Sequence, residues 1–202
     1  MPHSPAFSDH DTAEQRWQRF REGCTVSFGQ LADAHYRLLY NYGRRFSDDA
    51  EFVRDCIQLL LLDLWNRRET LSDPPVVKAY LLKAFRHRLL KETERHRRRQ
   101  SAEEWAFDLY AVDNPVEQQI VETEWQQEQL QRLNDRIGRL TRREQEIIYL
   151  RFYQQLDYEA IAGIMELTRP SVANLLSKSL RRLKENWFDP ILPLLMLLGG
   201  WS

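Results

Sequence analysis

Hydrophobic positions along this chain recur in steps of three and four, so the pattern predicts helices nearly throughout. Over residues 27–42, Phe28, Leu31, His35, Leu38, Leu39 and Tyr42 fall at helical spacing. Ser47, Asp48 and Asp49 then offer oxygens to the free amides of a long helix that ends near Arg67. Its stripe is Val53, Ile57, Leu60, Leu61 and Leu64, closed by Trp65. Leu59 and Leu62 lie outside that stripe, which predicts a helix either deeply buried or docked on a partner. Ser72-Asp73-Pro74-Pro75 interrupts the pattern in a loop over 66–77. A further helix opens near Val76 and runs through Tyr80, Leu81, Ala84, Phe85, Leu89 and Leu90 into an arginine-rich end. No segment sustains the alternation of a half-buried strand, so the predicted class is all-α.

Residues 141–184 carry the sharpest punctuation. Thr141 and Glu144 have the spacing of a capping box, and Ile147, Ile148, Leu150 and Phe152 give the helix after it an apolar side. Asp157 can cap a short second helix from Tyr158 to Met165, with Ile161, Ala162 and Ile164 turned inward. A tight break at Glu166-Leu167 follows. Thr168 can cap a third helix whose first turn holds Pro170, where the missing amide proton costs little. Val172, Leu175, Leu176, Leu180 and Leu183 form its inner face, leaving Ser171, Asn174, Ser177, Lys178, Arg181 and Arg182 for another surface. Three such helices make a helix-turn-helix, whose last helix can offer Ser and Asn to base edges and Lys and Arg to phosphates. The same three helices can also simply close a bundle.

Charge sharpens this picture more than composition does. The 202 residues are 43% hydrophobic and 29% charged, which suits one large or two small helical domains. The net charge of −1 conceals blocks. From 83 to 99, Lys83, Arg86, Arg88, Lys91, Arg95, Arg97, Arg98 and Arg99 face only Glu92 and Glu94. Residues 101–135 are acidic, and 136–187 are basic again. Two polyanion-facing modules joined by an acidic connector are predicted, against the plainer reading of clustered solvated faces. The basic helix interleaves His87 and His96 with its cations, and Tyr80 and Phe85 can stack on unpaired bases. Cys24 and Cys56 form no CxxC pair and suit packed positions in a reducing cytosol. The histidines His3, His10, His35, His87 and His96 make no HExxH, and neither a phosphate-binding glycine loop nor GxSxG occurs. No catalysis, metal or cofactor is expected. The N-terminus shows no basic region followed by an apolar stretch, so no secretory signal is expected and the predicted location is cytoplasmic.

Taken together, these segments resemble a bacterial RNA polymerase sigma factor of the extracytoplasmic-function type. Val53-Arg54-Asp55-Cys56-Ile57-Gln58-Leu59-Leu60-Leu61-Leu62-Asp63-Leu64-Trp65 resembles that family's core-binding helix. Tyr80-Leu81-Leu82-Lys83-Ala84-Phe85-Arg86-His87 is similar to the helix that opens and reads the minus-ten element. Tyr158-Glu159-Ala160-Ile161-Ala162 and Asn174-Leu175-Leu176-Ser177-Lys178-Ser179-Leu180-Arg181-Arg182-Leu183 follow the domain that reads the minus-thirty-five element. The resemblance covers about residues 28–187. It implies an N-terminal extension (1–26), a region 2-like domain (27–99), an acidic linker (100–114), a region 4-like helix-turn-helix domain (115–187) and an apolar C-terminal extension (188–202).

The resemblance also implies roles. Asp55, Gln58, Leu59, Leu62 and Trp65 would meet core RNA polymerase. Arg67, Arg68, Lys83, Arg86, His87, Lys91 and Arg95 would serve the minus-ten element, with the loop from 67 to 77 holding a base flipped from the non-template strand. Arg169, Ser171, Asn174, Ser177, Lys178 and Arg181 would face the minus-thirty-five element of the promoter DNA. The acidic linker would thread the channel where RNA later leaves, and Trp105, Phe107 and Tyr110 predict that it docks; the other reading is an irregular loop packed on its own domains. His87 and Lys91 stand where relatives often carry Asn and Asp, and Ala173 where a basic residue is common. The turn at Glu166-Leu167 lacks the usual glycine. Weak DNA binding by the isolated C-terminal domain is therefore expected. Residues 191–198 are almost wholly apolar yet too short to span a bilayer, which needs about 20 such residues. They are expected to cover the C-terminal domain; the alternative is a docking or autoinhibitory segment for an anti-sigma protein. Two other readings of the whole chain remain: a stand-alone helix-turn-helix regulator, and a sigma-like partner-binding protein that does not initiate.

Overall fold

The computed structural model describes residues 11–99, 133 and 135–184. The acidic linker, the tail beyond 187, and the histidines His3 and His10 lie outside them. Among the described residues there is no strand. The first domain holds α1 (Ala13–Arg21), α2 (Thr25–Arg44), α3 (Ala50–Arg67), a 3-10 turn (Arg68–Thr70) and α4 (Val77–Arg99). The second holds α5 (Arg142–Ile148), a π-helical turn (Tyr149–Tyr153), α6 (Tyr158–Met165) and α7 (Arg169–Lys184).

Local chemistry starts most of these helices where the sequence predicts. The Asp49 carboxylate accepts from the amides of Glu51 (2.9 Å) and Phe52 (3.1 Å) at the head of α3. Asp157 accepts from Ala160 N (2.7 Å), and the Thr168 hydroxyl from Ser171 N (3.3 Å), at the heads of α6 and α7. Each such cap contributes about 1 kcal/mol. At α5 the Glu144 carboxylate reaches back to both the amide and the hydroxyl of Thr141, at 2.9 Å each.

The first domain closes around Leu31, Leu39, Tyr42, Val53, Ile57, Leu60, Leu81, Phe85 and Leu89, all buried. Burying each such side chain contributes about 1.5–3 kcal/mol before entropy is charged against it. Gly43 allows α2 to press against α3 and α4. A Cβ there would come within 2.7 Å of Val53 Cγ1 and 3.0 Å of Phe85 Cε1. The stretch 1–26 is not all an appendage: α1 lies within it, and its Trp17 and Phe20 are 1% and 0% exposed. Aromatic rings extend this packing, with Phe20 stacked on Phe28 at 4.9 Å and Phe28 5.2 Å from Trp65.

The second domain packs Ile147, Leu150, Leu156, Ile161, Ile164, Val172, Leu176 and Leu183. The glycine-free turn of its helix-turn-helix is made by Glu166 in the left-handed conformation (φ 55°, ψ 49°). A non-glycine residue there costs roughly 1–2 kcal/mol. Leu167 N still reaches the Ala162 carbonyl (3.0 Å), so the helix end is satisfied despite the strain.

Candidate nucleic-acid and partner interfaces

On α3, Asp55, Gln58, Leu59 and Leu62 recur at i, i+3, i+4 and i+7 and form one outward stripe. Leu59 is 42% exposed and Leu62 59%. Their exposure removes the deeply buried reading of these off-stripe positions: these leucines are not in the core. Trp65 departs from its companions. It is half-buried, its ring lies 6.3 Å from Phe20, and the Arg68 guanidinium sits 4.8 Å over it. Arg68 also donates to Trp65 O (3.0 Å) and to Glu69 (3.1 Å), which ties it to the end of α3.

Between α3 and α4 lies a cleft of about 370 Å³. Arg67, His87 and Lys91, all expected at the strand-opening element, line it together with Asp63, Tyr80 and Arg88. Arg88 stood in the basic block without an assigned role. Here it lies 3.7 Å from Asp63 and from Glu92. Burial pushes the Tyr80 hydroxyl pKa up, so the phenol stays neutral and usable as a donor beside these cations. Lys83 and Arg95 are exposed on α4 and do not line the cleft; Arg95 bonds Glu92 at 3.3 Å. The cleft thus offers cations for phosphate and a ring for stacking, with one carboxylate at its wall.

Arg86 is placed elsewhere. It leaves α4 toward the second domain, where its Nε donates to Glu146 Oε1 (2.8 Å) and Nη2 to Oε2 (3.4 Å). The Tyr42 hydroxyl donates to the same Glu146 Oε1 at 2.6 Å. The Arg86 and Glu146 side chains are only 12% and 4% exposed. Burial alone would lower the guanidinium's pKa, but Glu146 outweighs it and the net shift is upward. The Tyr42 phenol is raised well above its ordinary value, first by burial and then by Glu146. Around this triad Tyr42 stacks on Tyr149 at 5.9 Å, and the buried Arg45 guanidinium sits 4.4 Å over the Tyr149 ring. Lys78 donates to the Gln154 carbonyl (2.9 Å), and His87 Nε2 meets Glu166 at 2.6 Å. Glu146 had no predicted role. Its only sequence signal is that Glu144, Gln145 and Glu146 sweep about 200° of a helix whose next residues, Ile147 and Ile148, face inward.

The third surface is α7. Asn174, Ser177, Lys178 and Arg181 are exposed at i, i+3, i+4 and i+7, with Arg169 exposed at the helix head. Ser171 is half-buried, with its hydroxyl 2.8 Å from that of Thr168, so it braces the first turn. Arg182 donates to both oxygens of Glu144 (2.7 Å each), locking α7 to the start of α5. The Glu144 carboxyl is held below its ordinary pKa: burial opposes this, but the Thr141 bonds and Arg182 together prevail.

Among the described residues no group of His, Cys, Asp and Glu could hold a metal ion. Among them, too, no helix is long and apolar enough to cross a membrane. Cys56 is buried and its thiol pushed up to about 12 by that burial, whereas Cys24 is partly exposed and lowered by hydrogen bonding from Ser27.

The profile of Sigma-70 region 2 matches residues 31–100, and that of Sigma-70, region 4 matches residues 130–183. Together these matches span more than half of the chain. The fold is similar to that of CnrH, solved in complex with the cytosolic domain of CnrY, at 16% identity and a TM-score of 0.58. That likeness covers 87% of this chain and 96% of the other. It is also similar to the sigma factor RpoE from Bartonella quintana, solved with the anti-sigma factor NepR. There the identity is 18% and the TM-score 0.59, over 80% of this chain and 96% of that one. None of the curated proteins matches the sequence.

Proposed function

Because the chain belongs to the sigma-70 family, as a factor of the extracytoplasmic-function type with regions 2 and 4, we propose that it loads onto core RNA polymerase and directs it to promoters. The family is a class of transcription factors without catalysis of their own, so the work proposed is positioning and strand stabilisation. The observation that carries the reading is the α3 stripe. Asp55, Gln58, Leu59 and Leu62 present two carbonyl-bearing polar groups and two bare leucines on one line, in the same chain as two cationic helices. Truncating the central residues of such an anchor typically costs 2 kcal/mol or more of binding, about thirtyfold.

In this reading α7 reads the upstream duplex with Asn174, Ser177, Lys178 and Arg181, each good bidentate base contact contributing about 1–3 kcal/mol of discrimination. The cleft between α3 and α4 takes the melted strand, with Arg67, His87, Arg88 and Lys91 on phosphates and Tyr80 beneath a base. Extruding a base costs a few kcal/mol, which binding to polymerase and to phosphates offsets. Arg86 and His87 join that surface only after the seam with Glu146 and Glu166 opens. A cytoplasmic location and an anti-sigma partner belong to the same proposal. The latter is supported by the RpoE likeness, solved as a complex of that kind.

The test is size-exclusion co-elution of the full chain with sigma-free core polymerase, without DNA. Co-elution of the wild type, lost in Asp55→Ala/Gln58→Ala, is the expected result. A folded, partner-free chain that does not co-elute refutes the proposal and favours a stand-alone regulator. Co-elution without initiation on any template selected by the complex would refute its second half.

A further inference from the structure

Residue 68 to residue 76 is the connector between the helix with the partner stripe and the helix with the cationic cleft. It is mostly exposed: of its nine residues only Leu71 is buried, and Val76 is 42% exposed. Arg68 at its start is tied to Trp65 O and Glu69, and Val76 O at its end accepts from Tyr80 N at 3.1 Å; between them the bonds are few, a long Leu71 N to Arg68 O contact of 3.4 Å and Thr70 Oγ1 to Arg67 O at 2.9 Å. At Ser72 and Asp73 its anchors come from α1. The Trp17 indole N–H donates to the Ser72 carbonyl at 3.1 Å. Arg21, one turn further along, donates to the Asp73 carboxylate at 2.7 Å. The Trp17 ring also lies edge-on to Tyr80 at 4.9 Å, and Tyr80 lines the cleft. One buried indole therefore holds both the connector and the first turn of the helix that follows it. The α1 helix itself lies outside the region 2 match, which begins at residue 31.

We propose that α1 is a positioning strut for strand opening: Trp17 fixes the Ser72 carbonyl and the Tyr80 ring relative to each other, and Arg21 neutralises Asp73 where the connector faces DNA. The inference rests on the sigma-factor reading for its functional half. Its physical half stands alone. A buried indole N–H needs an acceptor, and this one has taken a backbone carbonyl of an otherwise loosely held segment, so its direction is a constraint on that segment. Asp73 without Arg21 would place a bare carboxylate beside a surface that must accept phosphates.

Trp17→Phe removes the donor and keeps an aromatic ring in the core; Arg21→Gln removes the charge at a half-exposed site. In the free protein, hydrogen exchange of the bonded connector amide of Leu71 is expected to rise by about three- to tenfold in Trp17→Phe, the effect of one hydrogen bond, with α3 and the middle of α4 unchanged. Exchange that rises equally through α3 and α4, or does not rise in the connector, overturns the strut. This arm needs no polymerase. In the second arm, holoenzyme is assembled with core polymerase, and a duplex promoter is selected by the wild type from a randomised pool. Trp17→Phe is expected to co-elute with polymerase as the wild type does and to open that duplex about three- to tenfold more slowly. On the same promoter carrying a non-complementary bubble it should match the wild type. Arg21→Gln should weaken binding to the bubble's single strand and make its fall with salt shallower. Equal loss on duplex and bubble, or loss of co-elution, would make Trp17 a general core residue and overturn the inference. A wild type that does not load onto polymerase refutes the sigma reading instead, and the exchange result still decides the strut.

Discussion

Helices α3 and α4 lie side by side in one domain, yet they treat their functional faces in opposite ways. α3 leaves Asp55, Gln58, Leu59 and Leu62 in solvent, including two leucines that a monomer gains nothing by exposing. α4 gives up part of its cationic face: Arg86 is sunk against Glu146, Lys78 bonds the Gln154 carbonyl, and His87 meets Glu166. The surface assigned to polymerase is open while part of the surface assigned to DNA is occupied by the second domain. The difference lies in the chemistry of each face. An apolar stripe is satisfied only by a foreign apolar surface, whereas a guanidinium can be satisfied within the chain by one carboxylate. In the proposed function, docking on polymerase would therefore come first, and exposure of the full surface assigned to DNA would require a further step.

The largest effect should come from the seam. Glu146→Ala leaves Arg86 and Tyr42 without their shared acceptor, and stripping one partner from a buried pair costs about 3–5 kcal/mol if the other stays buried. The variant is expected to relieve that cost by separation of the two domains. Small-angle scattering should show a larger radius of gyration, and affinity for single-stranded DNA should rise. An unchanged radius would mean that apolar contacts at Tyr149, not this pair, hold the seam. Next in size, Leu59→Ala/Leu62→Ala should weaken polymerase binding by about thirtyfold, as loss of an interface anchor does. Its melting temperature should barely move, since both side chains are already exposed. A drop of several degrees would return these leucines to the core.

Smaller effects separate turn strain from domain contact. Glu166→Gly should stabilise the helix-turn-helix by up to about 1 kcal/mol in urea unfolding, because glycine accepts the left-handed conformation. The bridge to His87 that it removes is more than half exposed and contributes little. Destabilisation would show that this contact matters more than the backbone. The smallest effect is that of Glu144, whose pKa is depressed in the folded state. A depressed carboxyl stabilises the fold above its unfolded value, about 4.3, and that contribution is lost as pH falls through the lower folded value. Acid titration of stability should therefore be shallower in Glu144→Gln below about pH 4. An unaltered profile would mean that the Arg182 bond is electrostatically idle.

Much of this was legible in the order of residues, because the physics involved is local. A cap depends on a side-chain oxygen within three residues of free amides, so Asp49, Asp157 and Thr168 could be read as helix starts. A helical face depends on a period of 3.6, so the outward set on α7 emerged without coordinates, as did the misfit of Leu59 and Leu62. Periodicity could not say whether those two leucines were buried or bare, since an apolar residue off the main stripe fits either. Spacing put Trp65 at the end of the apolar stripe while the resemblance put it among the polymerase-facing residues, and an aromatic cluster with Phe20 and Phe28 holds it half inside.

The helices, their ends and the chemical character of each face follow from residue order alone, because each depends on neighbours a few positions apart. Which faces meet was set only when the helices packed. Arg86 and Glu146 are 60 positions apart, Tyr42 and Glu146 104, and Trp17 and Ser72 55. No period or cap links such residues. What joins them is the requirement that every buried donor find an acceptor once the helices have packed, and that requirement exists only in three dimensions.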